Sequence, residues 1–366
     1  MSRSRDNASA VTTVPSGVGR NMVINGGMNV AQRSASVAAL GAASGYFTLD
    51  RWKIDVGDAS AGRFTMTQTA DGPNGISANC LKLDCTTADT SIAAGEILTI
   101  QHKMEGQNVQ RIGKGVAGAK EITVSFYVKA NAAFTFGCEL YDADNTRQIT
   151  KLFDTTTDWN RIELTFPADV DDGSSPFDDN HGSSLYLIFW INSGSNFTSG
   201  TLNTTAWANV TNANRAAGID SFFSSTDNNF FITGVQMEVG PVATEFEQET
   251  VERTLYKCRR YFQKFIDSAQ NNYSTALHGV YNSTTQIVTN TRLDPPMRST
   301  PTFAFSNLNQ FDLEPFDAEP TALSLFDGNA QFASVQATDG TERTVGFAAI
   351  VCMDSATGFF SFDSEL

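Results

Sequence analysis

From Phe47 onward the chain alternates apolar and polar residues with period two, in one short segment after another. The clearest is Ile122–Ala130, ITVSFYVKA, in which Ile122, Val124, Phe126 and Val128 are interleaved with Thr123, Ser125, Tyr127 and Lys129. Successive side chains of a pleated strand point to opposite faces, so this segment has one face to bury and one to leave wet. The same reading applies to Phe47–Val56, Arg63–Gln68, Cys80–Cys85, Glu96–Gln101, Glu121–Ala130, Phe134–Leu140, Arg161–Phe166, Leu185–Ile191 and Asn229–Met237, which are separated by Gly, Asn, Asp or Ser clusters. No comparable segment sustains a helical period. Short strands at this spacing predict a two-sheet jelly-roll or similar β-sandwich.

At 366 residues the chain exceeds what one hydrophobic core usually serves, so a second domain is expected. Residues 1–20 are rich in Ser, Thr, Ala, Asn and Gly, offer no apolar face, and read as a flexible attachment segment. Residues 21–247 form the expected sandwich. One helix is predicted over 248–262, where Val251, Leu255, Cys258 and Phe262 recur at steps of three and four, with Glu249 and Glu252 near its start and Lys257, Arg259 and Arg260 near its end. That stripe would pack on its own domain or against copies of itself. Residues 263–366 read as a second, smaller β domain, with strands at Tyr261–Ile266, Thr275–Tyr281, Gln286–Leu293, Thr302–Ser306, Ala322–Phe326, Val345–Met353 and Phe359–Phe362. Within it, LDPPMRSTPTFAF places three prolines in seven residues, which forbids helix and imposes an extended path.

Composition narrows the function classes. Hydrophobic residues make up 41% of the chain and Phe alone numbers 27, enough aromatic mass for folded cores. The net charge is −15 and the basic residues are scattered, so nucleic acid and anionic membranes are not expected partners. No apolar run approaches the roughly 18 residues needed to span a bilayer, and no signal peptide is apparent. Five cysteines without a CxxC pair signal neither a disulfide framework nor a zinc site.

The chemistry-bearing candidates are few. HExxH, GxSxG, the P-loop and the dinucleotide-binding glycine pattern are all absent, and His102, His181 and His278 stand far apart, so no catalytic residues are assigned. The loop DVDDGSSPFDDN carries Asp169, Asp171, Asp172, Asp178 and Asp179, hard oxygen ligands that could hold calcium, although Gly173 falls one place early for an EF-hand. The alternative is a solvated turn. No other cofactor is expected. Asp142 and Asp144 before Asn145 read as a hairpin turn. Sugars are recognised by aromatic faces beside amides and carboxylates, and Phe197 and Trp207, in the Asn- and Thr-rich stretch Ser193–Asn214, are the carbohydrate-contact candidates. Trp52, Trp159 and Trp190 fall in alternating segments and read as core.

Two bookends bracket the sandwich: NMVINGGMNVAQRS with YFTLDRW near the start, and FFITGVQMEVGPVATEF followed by ETVERTLYKCRRYF near residue 250. Together they resemble the opening and closing segments of virion structural proteins of tailed bacteriophages, especially tail-fibre and other appendage proteins. The Pro-Met-Arg-Ser-Thr-Pro junction after CRRYF is similar to the same group. A jelly-roll of this kind is also the architecture of many carbohydrate-binding modules. The resemblance implies a non-enzymatic virion protein made in the bacterial cytoplasm, tethered by its N-terminus to other virion proteins, homotrimeric, and attached to a host-surface glycan. A capsid decoration or connector protein and a polysaccharide depolymerase are the alternatives.

Overall fold

A computed structural model describes residues 19–58, 60–170, 175–266 and 276–366. The chain is mostly β and divides into two compact units. Among the described residues, the first comprises 19–29 with Ala35–Glu249; the second comprises Val30–Ser34 with Thr250–Leu366.

The first unit is a jelly-roll-like sandwich of antiparallel strands: β1 (Ser36–Leu40), β2 (Gly45–Tyr46), β3 (Lys53–Gly57), β4 (Arg63–Thr69), β5 (Cys80–Thr87), β6 (Ile97–Glu105), β7 (Ile122–Ala130), β8 (Thr135–Asp142), β9 (Arg147–Asp154), β10 (Asn160–Phe166), β11 (Ser183–Ser193), β12 (Ala208–Asn209) and β13 (Asn229–Val239). One sheet runs β1-β4-β5-β13-β7-β10 and the other β12-β9-β8-β11-β6-β3-β2. Their apolar faces meet in an aromatic core: Phe126 of β7 packs edge-on against Phe153 of β9 at 4.9 Å and Phe189 of β11 at 5.0 Å. Each such pair contributes about 0.5–1.5 kcal/mol beyond area burial. In β7 the expected inward set is fully buried. Thr123 of the opposite set is buried too, because its hydroxyl bonds the Gly240 carbonyl and meets Thr165.

The two bookends lie side by side. The Asn21 side chain donates to the Val235 carbonyl and accepts from the Met237 amide, and the Val235 amide donates to the Gly26 carbonyl. A Cβ on Gly26 would sit 2.0 Å from the Val235 carbonyl oxygen, so only glycine permits this approach. Buried Asn25 joins both halves of the first bookend: its Nδ2 donates to the Asp50 carbonyl, and its own carbonyl accepts from Trp52 Nε1.

The sequence pattern missed β1 and β9 and overextended the first strand. Within Phe47–Val56 the chain turns at Leu49–Trp52, with Arg51 at φ 73°, and pairing starts at Lys53. β9 follows the Asp142–Asn145 turn that the composition identified, where Asp142 Oδ1 accepts from the amides of Asp144 and Asn145. Its pattern is blurred because Gln148 and Thr150, outside the core, are fully buried as well.

The second unit contains a helix, Val251–Arg259, a three-stranded sheet of β14 (Phe262–Ile266), β23 (Phe359–Asp363) and β18 (Thr302–Phe305), and a seven-stranded sheet. The latter is built from β15 (Ala276–Tyr281), β16 (Gln286–Thr289), β17 (Thr291–Arg292), β19 (Phe311–Glu314), β20 (Pro320–Gly328), β21 (Phe332–Asp339) and β22 (Ala348–Met353). All are antiparallel around a core that includes Tyr281, Leu313, Val335 and Phe362. β19 and β21 went unrecognised in the sequence, and Val345–Phe347 proves to be a turn with Gly346 at φ 83°. The triple-proline junction is free of helix but is not the expected extended path: it bends at 294–295, where the Asp294–Pro295 peptide is cis, and again at 298–300, with Met297 buried and the Arg298 amide bonded to the Arg260 carbonyl.

The helix is shorter than the expected 248–262 span and groups with the second unit. Thr250 caps its start by accepting from the Arg253 amide. Its anticipated stripe is not a free face: Val251 is exposed, Leu255 is half-buried, Cys258 is fully buried, and Phe262 is a buried residue of β14. The helix had to end before Phe262 because the chain there pairs with Asp363 of β23. Among the described residues no helix is long and apolar enough to cross a membrane.

Candidate functional site

The seven-stranded sheet of the first unit turns Leu187 and Phe189 into the core, and its other face carries an ordered set of polar and aromatic side chains. Strand register lays them out in rows. One row reads Gln148, Tyr141, Tyr186, Lys103 across β9, β8, β11 and β6. The next reads Thr150, Glu139, Ile188, Gln101, Lys53, and a third passes through Trp190, Thr99 and Asp55.

At the middle of this face Glu139 is sealed from solvent and fully engaged. Arg215 Nε and Nη2 donate to its two oxygens at 2.8 and 3.0 Å, and Trp190 Nε1 donates at 2.6 Å. A planar guanidinium matches a carboxylate in this bidentate manner better than any other side chain. The same guanidinium lies 5.2 Å from the Tyr141 ring centroid and 5.0 Å from that of Trp190. Phe197 and Ala216 pack with Ile188 and Trp190, so the segment from Ser195 to Arg215 is anchored over this half of the sheet.

The adjoining surface is partly exposed to solvent. Tyr141 and Tyr186, both half-buried, stand edge to face at 5.4 Å. Lys103 Nζ lies 4.7 Å from the Tyr186 ring centre, and the Tyr186 hydroxyl is 3.0 Å from Ser183 Oγ. Burial pushes the Tyr141 phenol above its ordinary value, so it is a hydroxyl at neutral pH. Asp55 accepts from Lys53 Nζ at 2.9 Å and Gln101 Nε2 at 3.2 Å. Rings with an apolar side beside amide, hydroxyl, ammonium and carboxylate groups are equipped to bind a polyhydroxylated ligand. Two carboxylates of this face, Glu139 and Asp55, are each bound to a cation.

Tyr141 and Tyr186 were not singled out in the sequence, although each falls out of phase with the inward residues Leu140, Leu185 and Leu187. An aromatic on the polar phase of a strand is the signal that finds them.

Of the residues anticipated for carbohydrate contact, Phe197 is half-buried with its ring 5.5 Å from Trp190. Trp207 is buried, with Nε1 donating to the Pro167 carbonyl at 2.9 Å, and it serves as a wedge, not a platform. Trp52 and Trp190 are buried as expected, but Trp159 is only half-buried, with Nε1 bonded to the Asp71 carbonyl and Lys129 over its ring.

Of the anticipated calcium residues, Asp171 and Asp172 lie outside the described residues, and Asp178 and Asp179 are exposed. Asp169 is buried in a bidentate pair with Arg147 at 2.9 and 3.0 Å. Lys114 Nζ supplies a second positive charge, 2.6 Å from Asp142 Oδ2, 2.8 Å from the Ser175 carbonyl and 3.9 Å from Asp169 Oδ2. Among the described residues no group of three His, Cys, Asp or Glu side chains is suited to a metal ion. All five cysteines are buried free thiols, and burial pushes Cys80 up to about 12 and Cys352 up to about 11, so neither forms a thiolate nucleophile.

No protein-family model and no curated protein matches the chain. Among solved structures it is similar to the carbohydrate-binding module TmCBM61 in complex with β-1,4-galactotriose, at 11% identity and TM-score 0.30, over 60% of this chain and 99% of that one. It is also similar to a family 11 carbohydrate-binding module from Clostridium thermocellum in complex with a β-1,3-1,4-mixed-linked tetrasaccharide (11% identity, TM-score 0.27, 58% of this chain and 99% of that one). An exo-β-agarase is matched over 53% of this chain and 24% of its own length, at 13% identity and TM-score 0.28.

Proposed function

We propose that the chain is a non-enzymatic glycan-binding protein of a tailed-bacteriophage virion, a tail fibre or fibre-tip protein that attaches the particle to a host-surface polysaccharide. The observation that carries the binding reading is the half-buried trio Tyr141, Tyr186 and Lys103, neighbours across β8, β11 and β6, with the Glu139–Arg215 pair fixing the adjoining surface. Aromatic rings set in a rigid sheet lose little entropy on binding, and the polar groups beside them fix the orientation of hydroxyls. The virion reading is supported by the bookends and the proline junction named above. In this reading the N-terminus attaches to other virion proteins and three copies assemble, so weak single sites act together as multivalent attachment.

Purified protein added to host cells should sediment with them, and Y141A/Y186A should stay in the supernatant while keeping the wild-type circular dichroism spectrum. Incubation with host polysaccharide should release no new reducing ends. Absence of wild-type binding at any concentration, or reducing ends that accumulate with time, would overturn this function.

A further inference from the structure

The second unit carries two exposed aromatic side chains on one hairpin that the first-unit site does not use. The chain has 27 phenylalanines, and among the described residues only three are exposed, Phe326, Phe332 and Phe347. Phe326 is 56% and Phe332 48% exposed, and both belong to the β20–β21 hairpin. Phe326 stands at a bulge: Leu325 pairs with Val335 and Asp327 with Ser334, leaving Phe326 the extra residue. A bulge of this kind re-aims a side chain away from the regular pleat.

The hairpin is stiff. Asn329 Oδ1 accepts from the amides of Gln331 at 2.8 Å and Phe332 at 3.1 Å, its own amide donates to the Phe332 carbonyl at 2.8 Å, and Leu325 packs toward the core. The two rings are therefore held outward by a structure that is already ordered.

Polar groups surround them. Arg292 is directly opposite Phe332 in the β17–β21 register and is exposed. Its guanidinium makes no ion pair or hydrogen bond among the described residues, in a chain of net charge −15. One step along, Ser334 Oγ bonds the exposed Asn290 side chain. An unpaired guanidinium with its rigid donor fork selects a carboxylate, while flat rings beside an amide and a hydroxyl select a sugar ring. We infer that Phe326, Phe332, Arg292 and Asn290 form a second saccharide site, specific for a carboxylate-bearing sugar. Arg292 would grip the carboxylate, the phenylalanines would cover the apolar side of the rings, and Asn290 would bond hydroxyls. The inference rests on the glycan-binding reading but concerns a different surface and a different ligand charge.

The test is binding of the full chain to an immobilised panel of uronic-acid and sialic-acid oligosaccharides, each paired with its methyl ester. The wild type should retain at least one acidic glycan and release its ester. F326A/F332A should abolish that retention, R292A should weaken it about tenfold, and R292K should fall between R292A and wild type. All three positions are exposed, so thermal unfolding should stay unchanged. Y141A/Y186A should leave acidic-glycan retention intact, which separates failure of this site from failure of the first. No acidic glycan retained, equal retention of acid and ester, or retention unaffected by F326A/F332A would overturn the proposal. A light-scattering mass that falls in F326A/F332A would assign the cluster to contacts between copies instead, and would overturn it equally.

Discussion

Lys114 and Asp142 face each other at 2.6 Å with both side chains closed to solvent, in the place where the sequence offered a calcium loop. An ammonium fixed beside two carboxylates and a carbonyl already neutralises the charge that a metal would otherwise balance. Removing one member of such a pair strands the other in a low-dielectric site. K114M and D142N are each expected to lose about 3–5 kcal/mol of unfolding free energy, read from denaturant midpoints at constant m-value. A loss too small to move the midpoint would show the network to be dispensable. Asp312 in the second unit behaves oppositely. Burial first, then the charges of Asp354, Asp317 and Glu314, raise its pKa above the ordinary 3.8. The folded state therefore holds this proton to higher pH than the unfolded chain, so the residue's destabilising charge disappears as pH falls through the folded pKa. D312N should be more stable than wild type at pH 7, with the advantage shrinking toward pH 4. An equal or lower melting temperature at pH 7 would contradict this.

The first bookend is an element without regular structure, held by side chains. His102 in β6 is fully buried, 5.2 Å from the Trp52 ring centre, and its Nε2 lies 3.1 Å from both the amide nitrogen and the carbonyl oxygen of Ile24. Burial first, and then the Arg51 charge, hold its pKa well below 6.5, outweighing the Ile24 hydrogen bond. The unfolded chain takes up a proton near pH 6.5 that the folded unit refuses, so this contribution is complete above that pH and is lost as pH drops toward the folded pKa. Acid titration of wild-type stability should show that slope, and H102Q should flatten it by about one proton. An unchanged slope would mean His102 is not the group responsible. Elements of this kind also mark where the sequence stopped being legible. Strands with one buried face, such as β4 and β5, announced themselves, because core packing enforces the alternation. β9 did not, since its outer-face residues Gln148 and Thr150 are buried as well, where the Thr150 amide bonds the Asn203 carbonyl and Ala208 pairs with Gln148. Trp207, from the Asn- and Thr-rich stretch, is buried, with Nε1 donating to the Pro167 carbonyl. Tyr141 and Tyr186 were hidden within strands, and only the register across β9, β8, β11 and β6 brings them into one row.

For the whole molecule, the proposed function has a chain of net charge −15 act at high copy number, where like charge on every copy opposes aggregation. Assembly belongs to this scale. Cys258 of the helix and Phe262 of β14 are buried within the second unit, so trimer contacts in the proposed function would not use these two residues. Light scattering should give about three times the 39.6 kDa chain mass; a monomer at all concentrations would remove multivalency from the reading. The claim on which the rest depends is that the tyrosine row of the first unit holds a glycan without altering it. Affinity electrophoresis through gels containing host polysaccharide tests this most directly: the wild type should be retarded in proportion to polysaccharide concentration, and Y141A/Y186A should run as in plain gel. A wild-type mobility indifferent to the polysaccharide, or a retardation that the double variant retains in full, would contradict it.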